Sequence, residues 1–284
     1  MEIKKVAVIG GGTMGNGIAH VMAQNGLKVI LVDIKREFLE RALGTIKKNL
    51  ERQAKKGVID AGAVDVTLGN ITPSLKIDDV RDTPLVIEAV QENLQIKKEI
   101  FKTLDKICPS MTIIASNTSS LPITAIAAAT ARPDKIIGMH FMNPVPMMKL
   151  VEVIRGIATS NETFEAIRDI CLAIGKTPVE ANDYPGFVAN RILMPMLNEA
   201  AFCLMEGVAR AEDIDTVMKL GAGHPMGPLY LADFIGLDIC LAIMETLYEG
   251  YNDSKYRPCP LLRKLVQAGH LGKKTGRGFY EHNN

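Results

Sequence analysis

The chain has 284 residues, of which 47% are hydrophobic and 23% are charged, and its net charge is +1. This composition is typical of a globular protein of two domains, and the near-neutral charge gives no basic face for nucleic acid or for a membrane surface. No apolar stretch has the length of a membrane span, and Met1 leads directly into a strand-like run without a signal-peptide pattern. We therefore expect a cytoplasmic protein with neither nucleic acid nor membrane as a partner.

The cysteines give no sign of a disulfide framework or a metal centre. They are Cys108, Cys171, Cys203, Cys240 and Cys259, an odd number without a CxxC pair. This spacing argues for reduced thiols, and we predict no metal site. Cys203 and Cys240 lie in apolar runs of helical spacing, so we interpret both as core residues.

The first part of the chain alternates between strand-like and helix-like segments. Short apolar runs predict strands at 6–11, 29–33, 85–90, 112–116, 136–140 and 150–154, and amphipathic runs predict helices at 13–26, 35–56 and 94–107. Alternation with continuously apolar strands indicates an α/β domain, in which helices cover both faces of a parallel sheet.

The pattern changes after Pro178. The turn DYPGF at 183–187 contains a proline and a glycine and is interpreted as a hinge. From Phe187 onward, apolar residues recur at helical spacing in runs at 187–207, 212–220 and 231–247, with no convincing strand before the last few residues. We predict an α/β domain at 1–183 and an all-α domain at 184–284. One of its helical stretches is apolar nearly all round, which predicts dimerisation through this domain.

The segment GGGTMG at 10–15 matches the pattern G-x-G-x-x-G. It follows a predicted strand, opens a predicted helix, and is followed by Asp33 at the end of the next strand, a context that predicts a dinucleotide site. Gly10 allows the tight turn, Gly12 lets the backbone approach a pyrophosphate, and Gly15 allows close packing of helix and strand.

The first turn of the following helix favours an anion through its amide groups and its dipole. The predicted cofactor contacts here include Gly11, Thr13 and Met14 besides the three glycines of the motif. Asp33 would accept hydrogen bonds from the adenosine ribose and would repel a 2′-phosphate, which favours NAD over NADP. Lys35 and Arg36 lie just beyond it and keep NADP open as an alternative, because either side chain can turn to meet a phosphate.

Polar residues interrupt the apolar pattern at four places. Asn117 and Ser119 directly follow a strand, and His140 ends the next one. Glu152 lies within the strand LVEVI, and Asn190 lies on the first helix after the hinge. Ligands of open α/β sheets collect at the carboxyl ends of the strands. Because a carboxylate within an apolar strand is costly without a partner, we predict that Glu152 pairs with His140 and stabilises its imidazolium.

Each of these residues has a purely structural alternative. His140 can be an ordinary core or surface group, Glu152 can pair with Arg155, and Asn190 can make an interdomain hydrogen bond. The serines after Asn117 can cap the helix that starts near Pro122. Together, in a domain with a dinucleotide site, the polar residues favour a dehydrogenase.

Seven longer stretches extend this interpretation over the whole chain. They are IGGGTMG, VIEAVQENLQIK, IASNTSSLPIT, GMHFMNPVPMMKLVE, YPGFVANRIL, KLGAGHPMGP and GKKTGRGFY. In this order they resemble the short-chain L-3-hydroxyacyl-CoA dehydrogenase family. The resemblance implies a Rossmann-type domain followed by a helical domain that forms a homodimer. It also implies interconversion of 3-ketoacyl-CoA and (S)-3-hydroxyacyl-CoA with NAD(H), such as acetoacetyl-CoA and (S)-3-hydroxybutyryl-CoA.

The same resemblance implies roles for single residues. His140 matches the general acid/base and Glu152 its orienting carboxylate. Ser119 and Asn190 match hydrogen-bond donors to the reacting oxygen and the thioester region. The predicted cofactor contacts outside the glycine turn are Glu92, Lys97, Asn117, Ser119, Asn143 and Lys274. Among these, Asn143 matches a residue at the nicotinamide end of the cofactor.

The helix predicted at 35–56 carries the expected coenzyme A contacts. Most of its lysines are interpreted as a solvated face, but Lys56 matches a lysine that reads the 3′-phosphate. Asn49 stands where relatives have a serine at a second coenzyme A contact. Three alternatives remain open: a dehydrogenase of a free hydroxy acid, an enzyme for longer acyl chains, and a non-enzymatic NAD-binding module.

Overall fold

The computed structural model describes residues 3–282. The chain divides between Asp183 and Tyr184 into two compact units, each with a hydrophobic core of its own.

The first unit contains an eight-stranded sheet. Its strands are β1 (Lys5–Ile9), β2 (Lys28–Val32), β3 (Ile71–Ser74), β4 (Leu85–Glu88), β5 (Ile113–Ser116), β6 (Ile136–Phe141), β7 (Leu150–Arg155) and β8 (Thr177–Asn182). They lie in the order β3-β2-β1-β4-β5-β6-β7-β8, and every neighbouring pair is parallel except β6 and β7. The predicted, mostly parallel α/β architecture is confirmed.

The antiparallel pair is the one departure from the parallel arrangement, and the prediction of a mostly parallel sheet did not say where it lies. Only residues 142–149 separate β6 from β7. A parallel connection needs a crossover of about a dozen residues or more, so this short loop signals a reversal. The reversal places the beginning of β7 beside the end of β6.

The two edge strands, β3 and β8, were not predicted. Each contains a proline, Pro73 in β3 and Pro178 in β8, and the residues of both strands are mostly exposed or half-buried. Edge strands tolerate proline because one side of the strand has no ladder to complete. Neither strand has the continuous apolar run by which the buried strands were recognised.

The helices of the first unit pack on this sheet. They are α1 (Thr13–Gln24), α2 (Arg36–Lys55), α3 (Ala63–Leu68), α4 (Leu94–Ile107), α5 (Ile123–Ala127) and α6 (Asn161–Ala173). α2 ends before Gly57, whose φ of 68° is left-handed, as is common after a helix. Ile18 of α1 and Ile46 of α2 are fully buried in one core with Val8 and Leu31 of the sheet.

The second unit is helical, as predicted. It contains α7 (Ala189–Met205), α8 (Ala211–Gly221), α9 (Pro228–Ile235), α10 (Leu237–Tyr251) and α11 (Pro260–Gln267). The apolar run at 231–247 is divided between α9 and α10, because Gly236 has a φ of 108° that no helix continues through. Near the end of the described chain, extended pairing is limited to isolated bridges of Arg277 with Gly272 and Glu281.

The five cysteines are free; Cys240 is buried as predicted, whereas Cys203 is only half-buried. Over residues 3–282, no helix combines the length and the apolar character that crossing a bilayer requires. Within the same range, no group of three or more histidine, cysteine, aspartate or glutamate side chains is arranged to hold a metal ion.

Candidate active site

The glycine turn joins β1 to α1 at the carboxyl edge of the sheet. Gly10 has a φ of 104°, and its N–H donates to Val32 O at 2.7 Å. A Cβ on Gly15 would lie 1.8 Å from Gly10 O, and a Cβ on Gly10 would lie 2.7 Å from Ala89 O. These two positions therefore require glycine. A Cβ on Gly12 would meet nothing within 4 Å, so open space lies in front of it.

This open space suits the phosphates of a dinucleotide. Gly12 is the N-cap of α1, no side chain caps the helix, and its first turn carries no acidic residue. The amides and the dipole of this turn therefore favour an anion there, with Thr13 and Met14 in the first turn. Asp33 is held at the end of β2, where its carboxylate accepts from Gly11 N–H at 2.6 Å and from Ile34 N–H at 2.7 Å. The residues present fit NAD(H).

Glu92 connects the segment after β4 with the segment after β5. Its Oε1 accepts from the Thr118 hydroxyl at 2.5 Å and from Ser119 N–H at 3.0 Å, and lies 3.3 Å from the Ser119 hydroxyl oxygen. Its Oε2 lies 3.4 Å from the ammonium nitrogen of Lys97. Ser119 and Glu92, which were predicted separately, thus lie together at the carboxyl end of β5.

Lys97 lies on α4 and is buried, with an exposed fraction of 1%. Its ammonium group donates to Glu88 Oε1 at 2.6 Å. Glu88 is also buried and accepts from the Ser116 hydroxyl and from Val90 N–H, each at 2.7 Å. The cofactor contact implied for Lys97 stays a prediction, because in the structure its ammonium group is held by Glu88 and Glu92.

Glu88 is a member of this cluster that was not predicted. Its signal was present, because Glu88 interrupts the apolar run LVIEAV in the way that Glu152 interrupts LVEVI. Both residues place a carboxylate in a buried strand, where it needs a partner.

His140 of β6 and Glu152 of β7 are opposite each other in the antiparallel register. His140 Nδ1 lies 2.8 Å from Glu152 Oε2, and the exposed fractions of the two residues are 8% and 2%. The predicted contact between the two side chains is confirmed, and their catalytic roles stay predictions. A carboxylate beside Nδ1 favours the tautomer with the proton on that nitrogen. The alternative partner of Glu152 is wrong, because Arg155 pairs with Glu180 at 3.2 Å.

Asn117 links the ends of β4, β5 and β6. Its N–H donates to Glu88 O at 2.8 Å, and its side-chain oxygen accepts from Phe141 N–H at 3.0 Å. The side chain is therefore fixed next to His140. Asn143 is exposed in the loop that follows β6.

The alternative role of the serines as helix caps is also wrong. Asp183 caps α5 instead, because its carboxylate oxygens accept from Ile123 N–H at 2.9 Å and from Thr124 N–H at 2.7 Å. SNTSS is thus not explained by the start of the following helix.

The remaining predicted residues lie elsewhere in the two units. Asn49 is half-buried on α2, and Lys56 is exposed directly after the end of this helix. In the second unit, Asn190 is buried at the start of α7. Lys274 Nζ lies 2.6 Å and 2.7 Å from the two carboxylate oxygens of Asp238, so its implied cofactor contact stays a prediction.

The chain has the features of a dinucleotide-binding protein: β1, the glycine turn and α1 in succession, with Asp33 at the end of β2. The model of the 3-hydroxyacyl-CoA dehydrogenase NAD-binding domain matches residues 5–184, and that of the 3-hydroxyacyl-CoA dehydrogenase C-terminal domain matches residues 186–282. The chain belongs to the 3-hydroxyacyl-CoA dehydrogenase family, which confirms the resemblance seen in the sequence.

Individual relatives agree with this assignment. A probable 3-hydroxybutyryl-CoA dehydrogenase of Bacillus subtilis is 58% identical over 282 residues, 99% of this chain and 98% of that protein. A second of the same description, from Deinococcus radiodurans, is 58% identical over 278 residues, 98% of this chain and 100% of that protein. The crystal structure of (S)-3-hydroxybutyryl-CoA dehydrogenase from Ralstonia eutropha matches with a TM-score of 0.97 and 49% identity, covering 100% of both chains.

Proposed function

We propose that this protein interconverts acetoacetyl-CoA and (S)-3-hydroxybutyryl-CoA with NAD(H). The observation that carries the proposal is the buried contact of 2.8 Å between His140 and Glu152, at the same sheet edge as a glycine turn that fits a dinucleotide. The substrate is supported by relatives named for this reaction at 58% and 49% identity.

NADH, when bound, supplies a hydride to the C3 carbonyl carbon of the substrate. His140 donates the proton on Nε2 to the oxygen that becomes the hydroxyl group, and it takes the proton back in the oxidation direction. Glu152 keeps Nδ1 protonated and stabilises the imidazolium. Positioned proton transfer of this kind contributes roughly 10²–10⁴-fold to a rate.

Ser119 and Asn190 donate hydrogen bonds to the reacting oxygen and the thioester region in this proposal. A donor of this type contributes up to about 10³-fold. Support for Ser119 comes from Glu92, whose carboxylate fixes the backbone of Ser119 at the end of β5. Asn143 and Lys274 are the proposed contacts at the cofactor, and Lys56 and Asn49 those at coenzyme A.

Three further parts of the proposal concern cofactor choice, assembly and location. Asp33 at the end of β2 supports NAD over NADP. Exposed apolar side chains on the helices of the second unit, such as Ile192, Val217, Leu220 and Phe234, support a homodimer through this unit. Light scattering at micromolar concentration is expected to give the dimer mass, and a monomer mass would refute the dimer. The cytoplasmic location stays a prediction.

The test is the loss of NADH absorbance on addition of acetoacetyl-CoA. We expect oxidation of NADH with acetoacetyl-CoA, a slower reaction with NADPH, and none with free acetoacetate. Rapid reaction with acetoacetate would favour the free hydroxy acid alternative, and faster reaction along a series of C4 to C16 substrates would favour longer chains. Absence of all these reactions would support the non-enzymatic alternative. A Glu152→Gln variant tests the role of the pair. It is expected to bind substrate but to turn over roughly 10²-fold more slowly.

A further inference from the structure

Lys176 lies in the first unit between α6 and β8, and its exposed fraction is 7%. Its ammonium nitrogen lies 2.5 Å from Val145 O and 2.7 Å from Met148 O. These are the distances of charge-assisted hydrogen bonds. Burial of an ammonium group is unfavourable unless the group donates hydrogen bonds, so the two carbonyls account for the position of this side chain.

The two carbonyls belong to residues 142–149, which we call the β6–β7 loop. The loop follows β6 directly, so it begins two residues after His140, and it contains the exposed Asn143. Pro144 and Pro146 have no N–H group, which limits the hydrogen bonds that the loop can make for itself. Lys176 supplies two bonds from outside the loop.

The loop also contacts α1. Val145 is buried in the same core as this helix, and a Cβ on Gly17 would lie 2.9 Å from Val145 Cβ. Gly17 lies two residues after Gly15, close to the end of α1 that fits the cofactor phosphates. Lys176 thus holds the backbone carbonyls of the β6–β7 loop, and α1 packs against the side chain of Val145 in the same loop.

We propose that Lys176 is a positioning residue for hydride transfer. It fixes the β6–β7 loop against α1, so that Asn143 keeps its place at the nicotinamide end of the cofactor next to His140. This inference rests on the proposed function. It differs from a purely structural role, in which Lys176 would stabilise the fold without affecting one end of the cofactor more than the other.

The test compares two ligands that differ in the nicotinamide. Lys176→Met keeps the length of the side chain and removes its donors. We expect the dissociation constant of NADH to rise about tenfold, which corresponds to the loss of one good hydrogen bond. The dissociation constant of ADP-ribose is expected to change by less than about twofold. The kcat is expected to fall by roughly 10- to 100-fold, because a displacement of about 1 Å has an effect of this size. Lys149→Met, an exposed lysine of the same loop, is the control and is expected to behave as wild type.

Equal weakening of NADH and ADP-ribose, or unchanged NADH binding and kcat, would overturn the inference. If Lys176→Met does not fold, Gly17→Ala displaces the loop from the other side, and we expect the same selective loss of NADH binding; equal loss of both ligands would again refute the role. If the wild-type protein binds no NADH and reduces no acetoacetyl-CoA, the proposed function fails and the inference fails with it. If only the inference about Lys176 is wrong, the wild-type protein still binds NADH and reduces acetoacetyl-CoA. The two cases are therefore distinguishable.

Discussion

The glycine turn and the His140–Glu152 pair lie at the same edge of one sheet, but they depend on different parts of the polypeptide. The turn works through backbone amides and through the absence of side chains at Gly10, Gly12 and Gly15. The pair works through two side chains that strand register brings to 2.8 Å. The first site is therefore sensitive to added atoms, and the second to the loss of chemical groups.

The strongest test of this difference is His140→Ala. The variant loses the proposed proton donor, so we expect its rate of acetoacetyl-CoA reduction to fall by roughly 10²–10⁴-fold. The glycine turn does not depend on the imidazole, so NADH binding is expected to stay within about twofold of wild type. Steady-state kinetics and NADH fluorescence titration measure the two quantities. Near-normal turnover would refute the role of His140, and loss of NADH binding would show that the two sites are not independent.

Two alanine substitutions separate the functions within the glycine turn. In Gly15→Ala the new Cβ meets Gly10 O at 1.8 Å, so we expect the free energy of unfolding to fall by about 1–3 kcal/mol. In Gly12→Ala the Cβ enters open space, so stability is expected to be unchanged while NADH binding weakens at least about tenfold.

Urea unfolding and NADH titration of both variants measure this contrast. If Gly12→Ala binds NADH as wild type does, the open space in front of Gly12 is not the place of the pyrophosphate.

The sequence predicted the turn fully because its information is local. The strand, the three glycines and Asp33 lie within one short unit, and each has a role that follows from its own type. The pair of His140 and Glu152 was also predicted, from the cost of a carboxylate in a buried strand. Its geometry was not, because the antiparallel direction of β7 follows from the short connection after β6 and not from the apolar pattern.

Other parts of the site depend on contacts that no local pattern contains. Lys97 is buried against Glu88, and the bonds from Lys176 reach a loop about 30 residues earlier in the chain. A lysine in a sequence predicts solvent exposure by default. Only the fold shows which lysines are buried with carbonyl or carboxylate partners.

His20 lies on the helix that follows the glycine turn. It is fully buried on α1, and burial lowers its pKa from 6.5 to about 4, with the positive charge of Lys176 acting in the same direction. The unfolded chain therefore binds a proton below pH 6.5 that the folded protein binds only near pH 4. The stabilisation is complete above pH 6.5 and is lost progressively as the pH falls towards 4.

We expect His20→Leu to reduce this acid sensitivity. Because one pKa unit corresponds to about 1.4 kcal/mol, His20 accounts for about 2 kcal/mol of the stability that wild type loses between about pH 7.5 and pH 5. Urea unfolding at both pH values measures the loss, which is expected to be smaller in the variant by this amount. Equal losses in the two proteins would mean that His20 is not buried in its neutral form.

Lys56 provides the smallest effect and tests a third kind of site, a charge on the surface. It is exposed directly after the end of α2. Lys47 lies earlier on this helix, 3.9 Å from Glu51. The proposed contact with the 3′-phosphate of coenzyme A is an exposed ion pair, worth up to about 1 kcal/mol. Lys56→Ala should therefore raise the KM for acetoacetyl-CoA by up to about fivefold. The KM for an acetoacetyl pantetheine thioester, which lacks this phosphate, should not change. Lys47→Ala, on α2 itself, is the control and is expected to leave both constants as in wild type. An equal increase for the two substrates would assign Lys56 to the solvated face of α2, where its charge only complements the negative end of the helix dipole.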